Sequence, residues 1–261
     1  MLAEKRRQKG LTMKRFGIIV FACAAALVFG GCSSQTDANQ DEGAPSVDVA
    51  TTAMLGASPD WVTQLPEAET ADQLFVVAAY DTSTAWISMH EKDGDGTWQM
   101  IMTTPGFIGK EGIGKTREGD ALTPVGTYGF NAAFGIAPDP GCAISYTQVD
   151  ADTYWSGDES EDGHYNEMVS IADDPCLDTG ASEHIVDYTR QYQYCLNIDY
   201  NKEDVPGDGS AVFVHCLGPC KPFTGGCVAI PEDQMLVVMR NVDPDCVVII
   251  DTLDNLGGSF E

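Results

Sequence analysis

The chain has 261 residues, 43% of them hydrophobic, with 14 Lys plus Arg against 40 Asp plus Glu and a formal charge of -26. That composition is globular rather than disordered and allows one large domain or two small ones. The negative field, with no basic stripe to offset it, makes nucleic acid a poor partner.

The charge is unevenly spread. Lys5, Arg6, Arg7, Lys9, Lys14 and Arg15 precede residue 32 with only Glu4 against them, which leaves 8 basic and 39 acidic side chains in the remainder. Lys14-Arg15 leads into an apolar run from Phe16 to Phe29, then Gly30-Gly31-Cys32-Ser33-Ser34. A positive region, a short apolar region and small residues at a cleavage point are the order of an export signal, here residues 1–31, with Met13 as an alternative start. The run is shorter than the roughly 20 residues that cross a bilayer as a helix, and no later stretch comes near that length. The small residues ending in Cys32 resemble a bacterial lipoprotein signal. The resemblance implies that Cys32 is acylated and holds the protein to the outer face of the cytoplasmic membrane, with ordinary signal cleavage as the alternative. Residues 32–57 are small, polar and acidic without periodicity, and read as a tether.

A single domain is expected over 58–253, followed by a short tail, 254–261. Leu74–Tyr80 is a short apolar run with β-branched and aromatic residues, and Thr84–His90 alternates, so both read as strands. Asp93-Gly94-Asp95-Gly96 predicts a hairpin turn into a third strand at 97–102, which makes the opening a β-meander. Gly106 to Gly129 holds seven glycines and reads as loop closing onto a strand at 127–130. The acidic, Tyr-rich middle, about 135 to 210, shows no clear elements. The end is clearer: a strand at 211–215, a loop, Cys227–Ile230, a helix from Pro231 and a closing strand at 246–250. Pro231 at a first helical position, Glu232 and Asp233 in the first turn and Arg240 in the last agree with helix start and stop rules. The fold class is mostly β with a few short helices.

Seven cysteines fall in the domain: Cys142, Cys176, Cys195, Cys216, Cys220, Cys227 and Cys246. In an exported protein an odd number suggests disulfide pairs plus one free thiol, with the pairing open. Cys216, Cys220, Cys227 and His215 could suggest zinc, but one C-x3-C pair without a second is a poor zinc knuckle. No metal and no cofactor is expected.

His215 ends an apolar strand, and the loop to Cys227 carries Gly218, Pro219, Pro222, Gly225 and Gly226, so the chain can return the cysteine to the histidine. That is the nucleophile and base arrangement of thiol catalysis. A helix N-terminus just beyond Cys227, and an imidazolium beside it, would favour the thiolate. Gly225-Gly226 would let backbone N–H groups approach a reacting carbonyl oxygen. Cys216, adjacent to His215 on a strand, should point the other way. On spacing alone a histidine near a disulfide cysteine is the competing reading.

The surrounding residues change that balance. Val212-Phe213-Val214-His215 followed by Thr224-Gly225-Gly226-Cys227-Val228-Ala229-Ile230 resembles the active-site signature of the L,D-transpeptidase catalytic domain family (YkuD-type), in the branch with a T-x-G-C-V-A motif. Upstream, Lys115 to Tyr128 is similar to the family's K-x-E-G-D-G-x-T-P-x-G-x-Y segment, and Trp155–Asn166 and Ser182–Asn201 resemble intervening segments. In the commoner S/T-H-G-C pattern a histidine stands where Gly225 is, so here the base role rests on His215 alone.

The resemblance implies an L,D-transpeptidase-like β-sandwich or barrel. It implies a Cys227 thiolate that attacks a peptidoglycan tetrapeptide stem at its diamino-acid third residue, forms a thioester, and passes the acyl group to a second stem. His215 would be the base, backbone N–H groups of Gly226 and Cys227 the oxyanion hole, and Thr224 and Gly225 the support of the loop. Lys115, Arg117 and Lys221 are candidates for the stem's carboxylates, with solvated loop charges as the alternative; Glu118 and Asp120 read as turn formers, Tyr128 and Trp155 as core. His184 could support the site, while His90 and His164 look ordinary. The competing functions are an L,D-carboxypeptidase or endopeptidase on the same scaffold, and a non-catalytic peptidoglycan-binding lipoprotein. The sequence is silent on oligomeric state.

Overall fold

The computed structural model describes residues 55–259 apart from Asp162 and Cys220. The export signal, Cys32 and most of the tether therefore lie outside the described residues.

β1 (Gly56–Ala57) and a short helix, α1 (Asp60–Thr63), precede the long strands β2 (Gln73–Asp81), β3 (Thr84–Lys92) and β4 (Trp98–Phe107). β2, β3 and β4 pair antiparallel in sequence order, which is the expected meander. The turn between β3 and β4 is held by Asp93, whose carboxylate accepts the Asp95 and Thr97 N–H groups at 3.0 and 2.9 Å. β1 pairs with β4, so the last residues of the expected tether are already part of the sheet.

Short strands follow: β5 (Gly112–Ile113), β6 (Leu122–Thr123), β7 (Gly126–Tyr128), β8 (Phe130–Gly135), β9 (Tyr146–Gln148), β10 (Thr153–Trp155), β11 (Met168–Ser170) and β12 (Glu183–His184). The chain closes with β13 (Cys195–Ile198), β14 (Phe213–Cys216), β15 (Val228–Ile230), α2 (Glu232–Asn241) and β16 (Val247–Thr252). One large sheet runs β7-β16-β2-β3-β4-β15-β14-β13-β8-β9, with β1 beside β4; β11-β10-β12 and β5-β6 are separate small sheets.

The large sheet folds over on itself. Six inter-strand steps separate β2 from β8, about 29 Å along a flat sheet. Yet the Phe75 and Phe130 rings from those two strands meet edge to face with centroids 5.5 Å apart. The fold is thus mostly β, with two sheet halves closing on one core. Phe75, Val77, Ile87, Leu196, Val214 and Ile250 are all fully buried there or nearly so. β2 is buried along both faces because Leu74 and Val76 pack on Val62, Leu65 and Ile249 on the other side, which is why its sequence reads as a continuous apolar run rather than an alternation.

α2 presents Met235, Val238 and Met239 to the main core, each side chain contributing about 1.5–3 kcal/mol by full burial. Pro231 is its N-cap rather than its first helical residue, with φ -54° already set for the turn that follows. At the C-terminus Leu253 is buried and its N–H donates to the Ala79 carbonyl, while Leu256 packs on the second cluster, so these residues rest on the domain. Among the described residues no helix is long and apolar enough to cross a membrane.

Candidate active site

β14 and β15 are parallel neighbours, with Val214 opposite Val228 and His215 opposite Ala229. Cys227 therefore sits at the entrance to β15, where the Phe213 N–H donates to its sulfur at 3.4 Å. Phe213 and His215 share one face of β14; Val214 and Cys216 point into the main core on the other. Cys216 thus turns away from His215, as strand alternation requires. His215 and Cys227 both line one cavity of about 580 Å³.

The His215 Nδ1 lies 2.8 Å from the Cys216 carbonyl oxygen. A carbonyl only accepts, so Nδ1 carries the hydrogen and Nε2 is left as the basic nitrogen. The Tyr192 ring meets the imidazole edge to face at 5.4 Å between centroids. Burial drives the His215 pKa down to about 4, against the opposing bond to Cys216. Burial likewise pushes the Cys227 thiol up to about 12, helped by the Glu183 charge and opposed by the Phe213 N–H and Lys115. The resting pair is a neutral thiol and a neutral imidazole.

The loop into Cys227 is tied down by its own hydroxyl. Thr224 Oγ1 accepts the Gly226 N–H at 3.1 Å and donates to the Cys227 carbonyl at 2.6 Å. Thr123, in the glycine-rich segment, donates to the Gly226 carbonyl at 2.8 Å and accepts the Gly109 N–H at 2.9 Å. Beneath the loop Lys115 pairs with Asp120 at 3.2 Å, both side chains almost fully buried. Burial would raise the Asp120 pKa, but N–H groups of Thr116, Leu122 and Arg117 hold it below the usual range.

The opposite wall is built by the middle of the chain. Ala211 accepts the Cys227 thiol at 3.1 Å, and its own N–H donates to Asn166 Oδ1 at 3.1 Å. Glu118 accepts the Tyr165 hydroxyl at 2.7 Å and both the N–H and hydroxyl of Ser210, at 2.7 and 2.8 Å. Burial would raise Glu118, yet these bonds and Lys115 keep it lowered. Tyr192 donates its hydroxyl to Glu183 at 2.7 Å, and burial raises the Glu183 pKa, with Glu118 adding to the shift.

A family model for the L,D-transpeptidase catalytic domain (YkuD) matches residues 82–250. The chain belongs to that family. Two solved structures are similar to it. The helical cell shape determining protein Pgp2 from Campylobacter jejuni is 15% identical, with 69% of this chain and 48% of that chain covered at a TM-score of 0.38. The Ldtfm–avibactam carbamoyl enzyme is 14% identical, with 69% and 49% covered at a TM-score of 0.33. The chain spans about half the length of these structures. No curated protein matches it.

Several expectations about this L,D-transpeptidase domain need correction. The helix beyond Cys227 begins only at Glu232, with β15 between, so its N-terminal N–H groups are too far along the chain to favour a thiolate, an effect confined to the first turn. The Gly226 N–H is bonded to Thr224 and would have to turn from it to meet an oxyanion. Lys115 lines the cavity, but Asp120 already neutralises it; Arg117 is exposed and is not among the residues that line the cavity. Lys221 does line it, from an exposed position. Glu118 and Asp120, partly buried as whole residues, are hydrogen-bond hubs rather than mere turn formers. Trp155 is both core and cavity wall, whereas Tyr128 is only half-buried at the core's edge.

His184 is outside the cavity, bonded to the Ala151 carbonyl at 2.8 Å and stacked on Tyr154. His90 is fully buried between the hydroxyls of Ser58 and Ser88, each at 2.8 Å, and His164 is an exposed partner of Glu167. The expected disulfide pairs do not form among the described cysteines. Cys142, Cys176, Cys195, Cys216, Cys227 and Cys246 are free thiols, divided between separate clusters and the surface; Cys220 lies outside the described residues. No group of three or more His, Cys, Asp or Glu side chains among the described residues is arranged to hold a metal ion.

Alternation and loop composition pointed to His215 and Cys227. Asn166, Tyr192 and Glu183 carried no local signal, because they reach the site through long-range contacts, and Ala211, expected at the start of a strand, instead precedes β14 in a left-handed conformation.

Proposed function

We propose that this protein is a cysteine-dependent L,D-transpeptidase that acts on peptidoglycan tetrapeptide stems. The observation that carries the reading is the opening of Cys227 and His215 into one cavity in a domain of the L,D-transpeptidase family. With both groups neutral at rest, His215 Nε2 takes the thiol proton as sulfur attacks the carbonyl carbon of the third residue. The C–N bond to the terminal D-alanine breaks, the imidazolium protonates the leaving amine, and a thioester remains on Cys227. An amine of a second stem then attacks the thioester carbon and passes a proton to His215; the C–S bond breaks, His215 returns that proton to the Cys227 sulfur, and a cross-link between third residues is left. Water in place of that amine would make the protein a carboxypeptidase. Backbone N–H groups at Gly226 and Cys227 would meet the oxyanion once Gly226 releases Thr224.

We further propose export and acylation at Cys32, with residues 32–57 giving the domain reach from the outer face of the membrane to the wall. A Cys32→Ser protein recovered from the soluble fraction, with the unaltered protein in the membrane fraction, would support the anchor; identical distributions would remove it.

The deciding experiment is mass spectrometry of tetrapeptide muropeptides incubated with the protein beside a Cys227→Ala control. Dimers that have lost one alanine, absent with the control, are the expected products. Tripeptides alone would establish the carboxypeptidase, and no change with a folded protein and a free Cys227 thiol would leave a binding lipoprotein.

A further inference from the structure

The cavity wall opposite the catalytic loop holds a carboxylate that the reaction above does not use. Glu183, on β12 beside Trp155 of β10, lines the same cavity as Cys227 and His215. One of its oxygens accepts the Tyr192 hydroxyl at 2.7 Å, and the Tyr192 ring in turn abuts His215. Among the described residues Glu183 has no ion-pair partner. Of the three lysines that line the cavity, Lys115 is paired with Asp120 and Lys110 with Glu111, both at 3.2 Å, and exposed Lys221 makes no ion pair with Glu183. A carboxylate partly withdrawn from water and left without a cation is costly, and a ligand cation would reduce that cost.

Resting on the transpeptidase reading, we propose that Glu183 is a specificity-determining residue that receives a primary ammonium of the peptide substrate, with Tyr192 fixing its carboxylate toward the cavity. The stem chemistry offers such a group twice, as the side-chain ammonium of the donor's diamino-acid residue and as the amine of the acceptor stem. Recognition also bears on the nucleophile. Glu183 is one of the charges that hold the Cys227 thiol protonated, together with Glu118 and against Lys115. An ammonium seated on Glu183 offsets the acid with the larger of those two effects and makes the thiol easier to ionise when substrate is bound.

The test measures binding by calorimetry to the Cys227→Ala protein, which performs no chemistry. Donor tetrapeptide and acceptor tripeptide are each used with the side-chain amine free and N-acetylated. The expected result is a preference of about tenfold or more for the free amine on at least one ligand, as for a hydrogen bond between charged groups. Glu183→Gln, added to Cys227→Ala, should abolish that preference, since the amide oxygen still accepts the Tyr192 hydroxyl but carries no charge.

The ligand that shows the preference identifies which ammonium Glu183 receives. Equal affinity for free and acetylated forms of both ligands overturns the proposal, and that comparison needs no Glu183 variant to fold. A preference that survives Glu183→Gln overturns it as well. Turnover by the unaltered protein without any amine preference removes the ammonium site alone, whereas an amine preference without turnover removes the transpeptidase and leaves the site.

Discussion

Ala211 offers its carbonyl oxygen to the Cys227 thiol at 3.1 Å from a backbone held at φ 53°. A left-handed conformation is unfavourable for a residue with a Cβ, so something must hold it there. Asn166 does so, since its Oδ1 accepts both the Ala211 N–H at 3.1 Å and the Trp155 indole N–H at 3.2 Å.

Asn166→Ala removes the acceptor of two donors at once and leaves both unsatisfied. Each orphaned donor costs about 1–3 kcal/mol, so a loss of about 2–6 kcal/mol is expected. Urea unfolding should show a lower midpoint at unchanged m, with slower alkylation or acylation of Cys227 in the folded protein. A variant as stable and as reactive as the parent would mean that Ala211 is held by other means.

Acid should weaken the fold in a defined window. His215 and His90 are buried as neutral rings, with burial driving each pKa from 6.5 down to about 4. Between those values the unfolded chain binds protons that the native state refuses, so this stability is complete above pH 6.5 and is lost as pH falls toward 4. Each histidine contributes on the order of 3 kcal/mol to the loss. Burial pushes the Cys216, Cys227 and Cys246 thiols up to about 12, so stability falls again as pH rises above about 9. Urea midpoints across pH 4 to 10 read both limbs. An imidazole proton resonance of His215 that titrates near 6.5 would contradict the lowering by burial and remove its share of the acid window.

The Lys115–Asp120 pair supports the floor of the catalytic loop. Asp120→Ala strands the buried Lys115 ammonium and strips the N–H groups of Thr116, Arg117 and Leu122 of their acceptor. The expected loss is about 3–5 kcal/mol, read as a lower thermal midpoint. Restoration of most of it by the double change Lys115→Met, Asp120→Ala would show that the stranded charge is the cause; no restoration would assign the loss to the backbone contacts.

Two adjacent glycines should behave differently. Gly226 stands at φ 145°, and a Cβ there would lie 2.9 Å from the Leu122 carbonyl oxygen, whereas a Cβ at Gly225 meets open space. Gly226→Ala should cost about 1–3 kcal/mol through strain. Gly225→Ala should stay within about 0.5 kcal/mol of the parent. Thermal unfolding of the two variants side by side measures the contrast, and equal losses would mean that the loop tolerates no side chain at either place.

The sequence by itself determined the β2-β3-β4 meander, the Asp93 turn, the helix after Pro231 and the closing strand β16, and it singled out His215 and Cys227, which line one cavity. These are local signals: strand periodicity, turn chemistry, helix capping and a motif contained in a short stretch of chain. The resemblance extended them to a family that the match over residues 82–250 bears out.

Only the tertiary structure decided the site's wall and its protonation state. Asn166, Glu183 and Tyr192 come from a segment whose short elements have no period to read, and Ala211, expected at the start of a strand, stands before β14 with φ 53°; all four reach the site through contacts far apart in sequence. The neutral resting pair was equally hidden, since a thiol near a helix start suggests a thiolate until β15 is seen to stand between them. Burial, which no local pattern encodes, sets the charge of a histidine and a cysteine more strongly here than the helix dipole does.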